Sequence, residues 1–187
     1  MNSKIDLSGK WSFCLDGEKR GLAEHFENKS FEDTINLPST TAYAKKGEPN
    51  RARETYFLTE CYKFEGYSWY KRSVSLPATG KKELKDKHFF LTLERTRISH
   101  VWVDGKYVGS KNSFIAKHVY DLTGFVEDTS FEITVMVSNV DYKAPGGHMT
   151  SQDTQTNWNG ILGEISLSVC DTATIGYASS ACDFENK

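Results

Sequence analysis

The sequence predicts an all-β fold, a sandwich or jelly roll of short strands, and three observations predict it. Apolar and polar residues alternate with the period-two rhythm of half-buried strands along most of the chain. Gly, Pro and Asp-Gly turn signals interrupt that rhythm repeatedly. No window of helical length carries the i, i+3, i+4, i+7 apolar stripe of an amphipathic helix, so helix is limited to single turns near residues 22–26 and 122–125. Short strands with recurring turns and no long helix are the pattern of a β-sandwich.

Each element follows from its residues. Trp11, Phe13 and Leu15 share one face of a first strand that ends at the Asp16-Gly17 turn. Residues 34–37 form a short strand stopped by Pro38, and residues 68–76 repeat the alternation over a longer run before Pro77. Residues 88–94 are almost all apolar or β-favouring, which suits a central strand covered on both faces. Residues 99–103 and 106–109 flank Asp104-Gly105; a type I′ turn needs positive φ at both central positions, so this pair predicts a two-residue hairpin. Phe131, Ile133, Val135 and Val137 face inward from another strand, and residues 163–170 alternate again. Two long connections remain, 38–66 and 139–162, and connections of such length in a compact domain tend to be functional or disordered.

Composition narrows the function classes. A chain of 187 residues with 13% aromatic and 38% apolar side chains can bury a substantial core as one domain. Its 23 basic and 25 acidic residues leave a net charge of −2, against the basic excess that a nucleic-acid module carries. No apolar run is long enough to cross a membrane as a helix, so no membrane partner is expected. Residues 1–9 show no apolar signal region; secreted, periplasmic and cytoplasmic locations all stay open. Cys14, Cys61, Cys170 and Cys182 lie far apart with no Cys-x-x-Cys, so free thiols are expected, with no metal site and no cofactor.

Few residues point to catalysis. There is no Gly-x-Ser-x-Gly elbow, and no cysteine sits near a histidine in sequence. His100 and His118 lie within strands and read as structural, as do Asp104 in its hairpin and Asp121 ahead of residues 122–125. The connection 139–162 differs in kind. Around Trp158 it gathers His148, Asp153, Asn157 and Asn159 with several hydroxyls and amides. Sugars carry hydroxyls at their edges and C–H groups on their faces, so amides, a carboxylate and an aromatic plate suit them. The other reading makes Trp158 an anchor of the loop in the core, with the amides satisfying its backbone. Both can hold together.

The order of these motifs resembles the N-terminal sugar-binding domain of glycoside hydrolase family 2, the group of β-galactosidases, β-glucuronidases and β-mannosidases. Leu7-Ser8-Gly9-Lys10-Trp11-Ser12-Phe13, Ile35-Asn36-Leu37-Pro38, Trp69-Tyr70-Lys71-Arg72 and Phe90-Leu91-Thr92-Leu93-Glu94 match in turn. Then come the hairpin Val101-Trp102-Val103-Asp104-Gly105, the turn Tyr120-Asp121-Leu122-Thr123, Val135-Met136-Val137-Ser138-Asn139, and Trp158-Asn159-Gly160-Ile161-Leu162-Gly163.

The resemblance implies a galactose-binding-like jelly roll over residues 1–170, with 171–187 a linker or the start of a next module. In this family an immunoglobulin-like domain and a (β/α)8 barrel follow, and the barrel supplies both catalytic glutamates. Such a barrel typically needs about 250 residues, so an all-β chain of this length is expected to be inactive alone. The implied parent is a retaining exo-β-glycosidase of β-galactosidase type. A loop of this domain reaches the barrel's pocket in relatives, which makes Asp153, Asn157, Trp158 and Asn159 expected substrate-binding residues, joined by His148 from its place after Gly146-Gly147 in the same polar loop. Thr156 stands where β-galactosidase-type relatives often have an acid, and Gly163 where many have Arg. Two other functions compete: an autonomous carbohydrate-binding module using Trp158 or Tyr142, and a purely structural interaction sandwich.

Overall fold

A computed structural model describes residues 3–52, 55–76, 83–142, 151, 153–173, 175 and 178–182. Its strands in chain order are β1 (Ser3–Asp6), β2 (Gly9–Asp16), β3 (Asp33–Leu37), β4 (Ser39–Thr40), β5 (Glu48–Pro49) and β6 (Tyr62–Lys63). There follow β7 (Tyr67–Ser75), β8 (Lys87–Leu93), β9 (Ile98–Val103), β10 (Lys106–Lys111) and β11 (His118–Asp121), then β12 (Ser130–Ser138), β13 (Gly160–Ile161) and β14 (Ile165–Asp171). One antiparallel sheet has the order β1-β14-β8-β11, and a second has β10-β9-β12-β7-β2-β3. Two small ribbons, β13 with β4 and β5 with β6, lie inside the two long connections. This is the all-β jelly-roll sandwich expected from the alternation.

The core lies between the two large sheets. Trp11, Phe13, Tyr70, Val74, Val101, Val103, Phe131, Ile133, Val135 and Val137 reach it from the six-stranded sheet. Phe89, Leu91, Leu93, Tyr120, Ile165, Leu167 and Val169 meet them from the four-stranded sheet. Each large apolar side chain buried this way contributes about 1.5–3 kcal/mol against exposure. The hairpin joins β9 to β10 as its turn pair requires: Asp104 has φ 46° and Gly105 φ 75°. Asp121 accepts the Thr123 N–H at 2.9 Å, which closes the turn after β11.

Two details depart from the sequence reading. β8 is central in its sheet, yet only Phe89, Leu91 and Leu93 are buried; His88, Phe90 and Thr92 stay half-exposed on the other face. β7, by contrast, is covered on both sides. Trp69, Tyr67, Met136 and Trp102 form a second apolar cluster on the outer face of the six-stranded sheet. Phe26 and Phe31 close over it, with Phe26 and Trp69 ring centroids 5.7 Å apart. Lys71 is buried there too, donating to the Glu27 carbonyl at 2.7 Å and to Glu132 at 2.9 Å.

Candidate functional site

The candidate site is built where the two long connections meet. β13 pairs with β4, the Thr41 N–H donates to the Asn159 carbonyl at 2.9 Å, and Thr96 Oγ1 donates to the Gly160 carbonyl at 2.9 Å. Residues 159–163 are therefore stitched on both sides, to 39–41 and to 94–96. Gly160 makes that approach possible. Its φ is 143°, and a Cβ there would lie 2.3 Å from the Ser39 carbonyl oxygen.

Arg97, directly before β9, braces the segment from beneath. It is 2% exposed and donates from Nε to the Trp158 carbonyl at 3.2 Å and from Nη2 to the Thr156 carbonyl at 3.1 Å. Its Cζ lies 4.3 Å from the Trp158 ring centroid, 4.8 Å from that of Phe114 and 5.3 Å from that of Tyr142. A planar guanidinium can stack on rings and fork to carbonyls at once, which an ammonium cannot. Its Nη1 is buried and finds no hydrogen-bond partner among the described residues.

Above this brace lies a cleft of mixed polar and apolar surface, lined by Asn50, Glu60, Lys63, Glu65, Thr156 and Asn157 along with Leu58 and Phe64. Glu60 Oε1 accepts from the Thr156 hydroxyl at 2.7 Å. Burial pushes the Glu60 carboxyl up, opposed by the Thr156 hydrogen bond and the Arg97 charge. Burial also pulls the Arg97 guanidinium down. The cleft measures about 60 Å³, far below the roughly 300–1,000 Å³ of a complete small-molecule site. Among the described residues no three His, Cys, Asp or Glu side chains gather as a metal-binding group.

Residues 5–170 match the family described as glycosyl hydrolases family 2, sugar binding domain. The chain belongs to this family. Comparison with curated proteins finds no significant match. Among solved structures the family 2 domain is similar to a β-glucuronidase from an uncultured Clostridium species, at 20% identity and TM-score 0.67, over 91% of this chain and 29% of that one. It is similar also to the β-glucuronidase of Ruminococcus gnavus, at 18% identity and TM-score 0.67, over 90% of this chain and 29% of that one. A β-glucuronidase from Ruminococcus gnavus in complex with D-glucuronic acid gives 18% identity and TM-score 0.67, over 90% of this chain and 30% of that one. The chain thus spans under a third of the length of these structures.

Within this family 2 domain the residues expected to bind substrate occupy different environments. Asp153 is exposed, in the turn closed by the Thr154 N–H donating to the Ser151 carbonyl at 3.1 Å. Asn157 is half-buried and lines the cleft, its Oδ1 accepting from the Tyr142 hydroxyl at 3.2 Å. Trp158 is half-buried against Arg97, its indole N–H donating to Gln155 at 3.2 Å. Asn159 is 0% exposed; its amide donates to the carbonyls of Gly66 and Val137 at 3.2 Å each, so it supports the site from below. His148 lies outside the described residues. Glu60 and Arg97 escaped the sequence reading because each sits in a charged stretch that reads as solvated loop. His118 is buried with Ser99 Oγ 2.6 Å from its Nδ1, and His100 meets the Tyr107 hydroxyl at 3.0 Å.

Proposed function

We propose that this domain is a non-catalytic module of a retaining exo-β-glycosidase and forms one wall of its sugar pocket. The cleft carries the reading: it mixes polar and apolar surface, is braced from below and is far too small to enclose a sugar by itself. Asp153, Asn157 and Trp158 belong to the segment that would face the sugar, with His148 as a further contact and Asn159 as its internal support. The remaining walls would come from a (β/α)8 barrel and an immunoglobulin-like domain of the same protein, consistent with the fraction of each similar structure that this chain spans. β-Galactosides are the first substrate class to test, on the resemblance to β-galactosidase-type enzymes alone. The β-glucuronidase names of the similar structures make β-glucuronides the second class to test.

A self-sufficient lectin-like site has less support, since the rings of both Trp158 and Tyr142 are engaged by Arg97. The deciding experiment compares hydrolysis of 4-nitrophenyl β-D-galactopyranoside and β-D-glucuronide by the full-length gene product and by the 187-residue chain. The full-length protein is expected to cleave one of them and the chain alone neither. Turnover by the chain alone would overturn the reading.

A further inference from the structure

Glu60 and Asn157 line one cleft from two different connections, and together they offer complementary hydrogen-bonding capacity. An ionised carboxylate has about four acceptor positions. Among the described residues the hydrogen bond Glu60 receives is the one from Thr156 at 2.7 Å. Asn157 uses its Oδ1 on the Tyr142 hydroxyl, which leaves its amide N–H groups to donate. A hydroxyl is donor and acceptor at once, so an amide donor beside a carboxylate acceptor suits it from both sides. Arg97 adds a buried positive charge behind Thr156, one of its nitrogens having no hydrogen-bond partner among the described residues. That charge favours the ionised form of Glu60.

We propose that Glu60 is a substrate-contact residue of this domain, accepting hydroxyl protons of the non-reducing sugar beside the Asn157 amide, with Arg97 as its positioning residue. The proposal rests on the module reading above and extends it to a second connection, 38–66. A carboxylate partly stripped of water needs donors to offset its desolvation, and sugar hydroxyls supply them. The other charged groups lining the cleft are Lys63 and Glu65, which pair with each other at 4.0 Å. Behind it stand Arg97 and the Tyr142 phenol packed on Arg97.

The test uses the full-length enzyme with the two 4-nitrophenyl glycosides. On the substrate that is cleaved, Glu60→Gln is expected to raise KM about tenfold or more with kcat within about twofold, the mark of lost uniform binding through a charged hydrogen bond. The wild-type KM should rise as Glu60 takes up a proton at low pH, and Glu60→Gln should abolish that rise. Arg97→Met removes the positive neighbour, so the rise should begin at higher pH. A merely structural Glu60 predicts otherwise: Thr156→Val, which removes the hydroxyl that donates to Glu60, would raise KM at least as much as Glu60→Gln, whose amide oxygen still accepts that bond, and the pH profile would not move. That pattern, or an unchanged KM in active Glu60→Gln enzyme, overturns the proposal and leaves the module reading standing. If Glu60→Gln does not fold, Glu60→Asp is measured in its place, and an unchanged KM there overturns the proposal equally. A full-length protein that cleaves neither glycoside overturns both.

Discussion

Asn139 accepts the Gly66 N–H at 2.9 Å while Asn159 donates to the Gly66 carbonyl at 3.2 Å, so two buried amides clamp one residue at the entrance to β7. Asn139 also donates to the carbonyls of Phe64 and Asn157 at 2.8 Å each, tying both long connections to the end of β12. Asn139→Ala leaves these groups without their partner in a water-poor place. The expected loss is about 2–4 kcal/mol, read from urea unfolding of the chain. A loss below about 1 kcal/mol would mean that water replaces the amide and that the clamp matters little.

Gly160 and Gly109 separate two effects that glycine substitutions usually mix. Both have positive φ, 143° and 155°, but a Cβ at Gly160 would sit 2.3 Å from the Ser39 carbonyl oxygen whereas one at Gly109 meets nothing within 4 Å. Gly109→Ala should therefore cost only the backbone penalty, about 1–2 kcal/mol. Gly160→Ala must also push β13 away from β4, and it is expected to cost about 3 kcal/mol or more. Thermal unfolding of the two variants side by side checks the order; equal shifts in Tm would remove the claim that close strand approach is what demands Gly160.

Acid should weaken the edge where β1 meets β14. Hydrogen bonds from Lys4, at 2.7 Å, and then from Ser166 hold the Glu164 carboxyl at about 2, down from an ordinary 4.5. As pH falls from 4.5 toward about 2, the unfolded chain takes up a proton that the folded chain refuses. The stabilisation is thus present above that window and is lost on descending through it. Urea midpoints measured across the window should fall for the wild type and fall less for Glu164→Gln. Parallel declines would assign the acid sensitivity to other carboxylates.

Much of the sandwich was legible because each strand's alternation needs only its own residues. Trp11 and Phe13, or Phe131 to Val137, announce a buried face without reference to any partner. What failed was the second face. Trp69 is as buried as Tyr70, but it is the return of Gly21, Phe26 and Phe31 over this face of the sheet that covers it, and no local period encodes that. β8 shows the converse: Phe90 looks like core by composition, yet no layer covers it among the described residues. At the site, Trp158, Asn157 and Asn159 stood out as an indole among amides. Arg97 and Glu60 did not, since their partners lie 59 and 96 residues away and a charged side chain in a charged stretch reads as solvated.

Arg97 gives the most discriminating prediction for how the site segment is held. Arg97→Lys keeps a positive charge but loses the fork to Thr156 and Trp158 and the flat face against three rings. A lysine ammonium buried there, unable to reach both carbonyls, is expected to cost about 1–3 kcal/mol overall. The loss should be local first. Amides of residues 154–158 should exchange with solvent faster, while those of β12, paired on both sides by β7 and β9, follow only the change in global stability. Hydrogen exchange read segment by segment distinguishes the two. If exchange in 154–158 rises no more than in β12, Arg97 is one more buried residue of the fold, and the segment owes its shape to β13 and Asn159 instead.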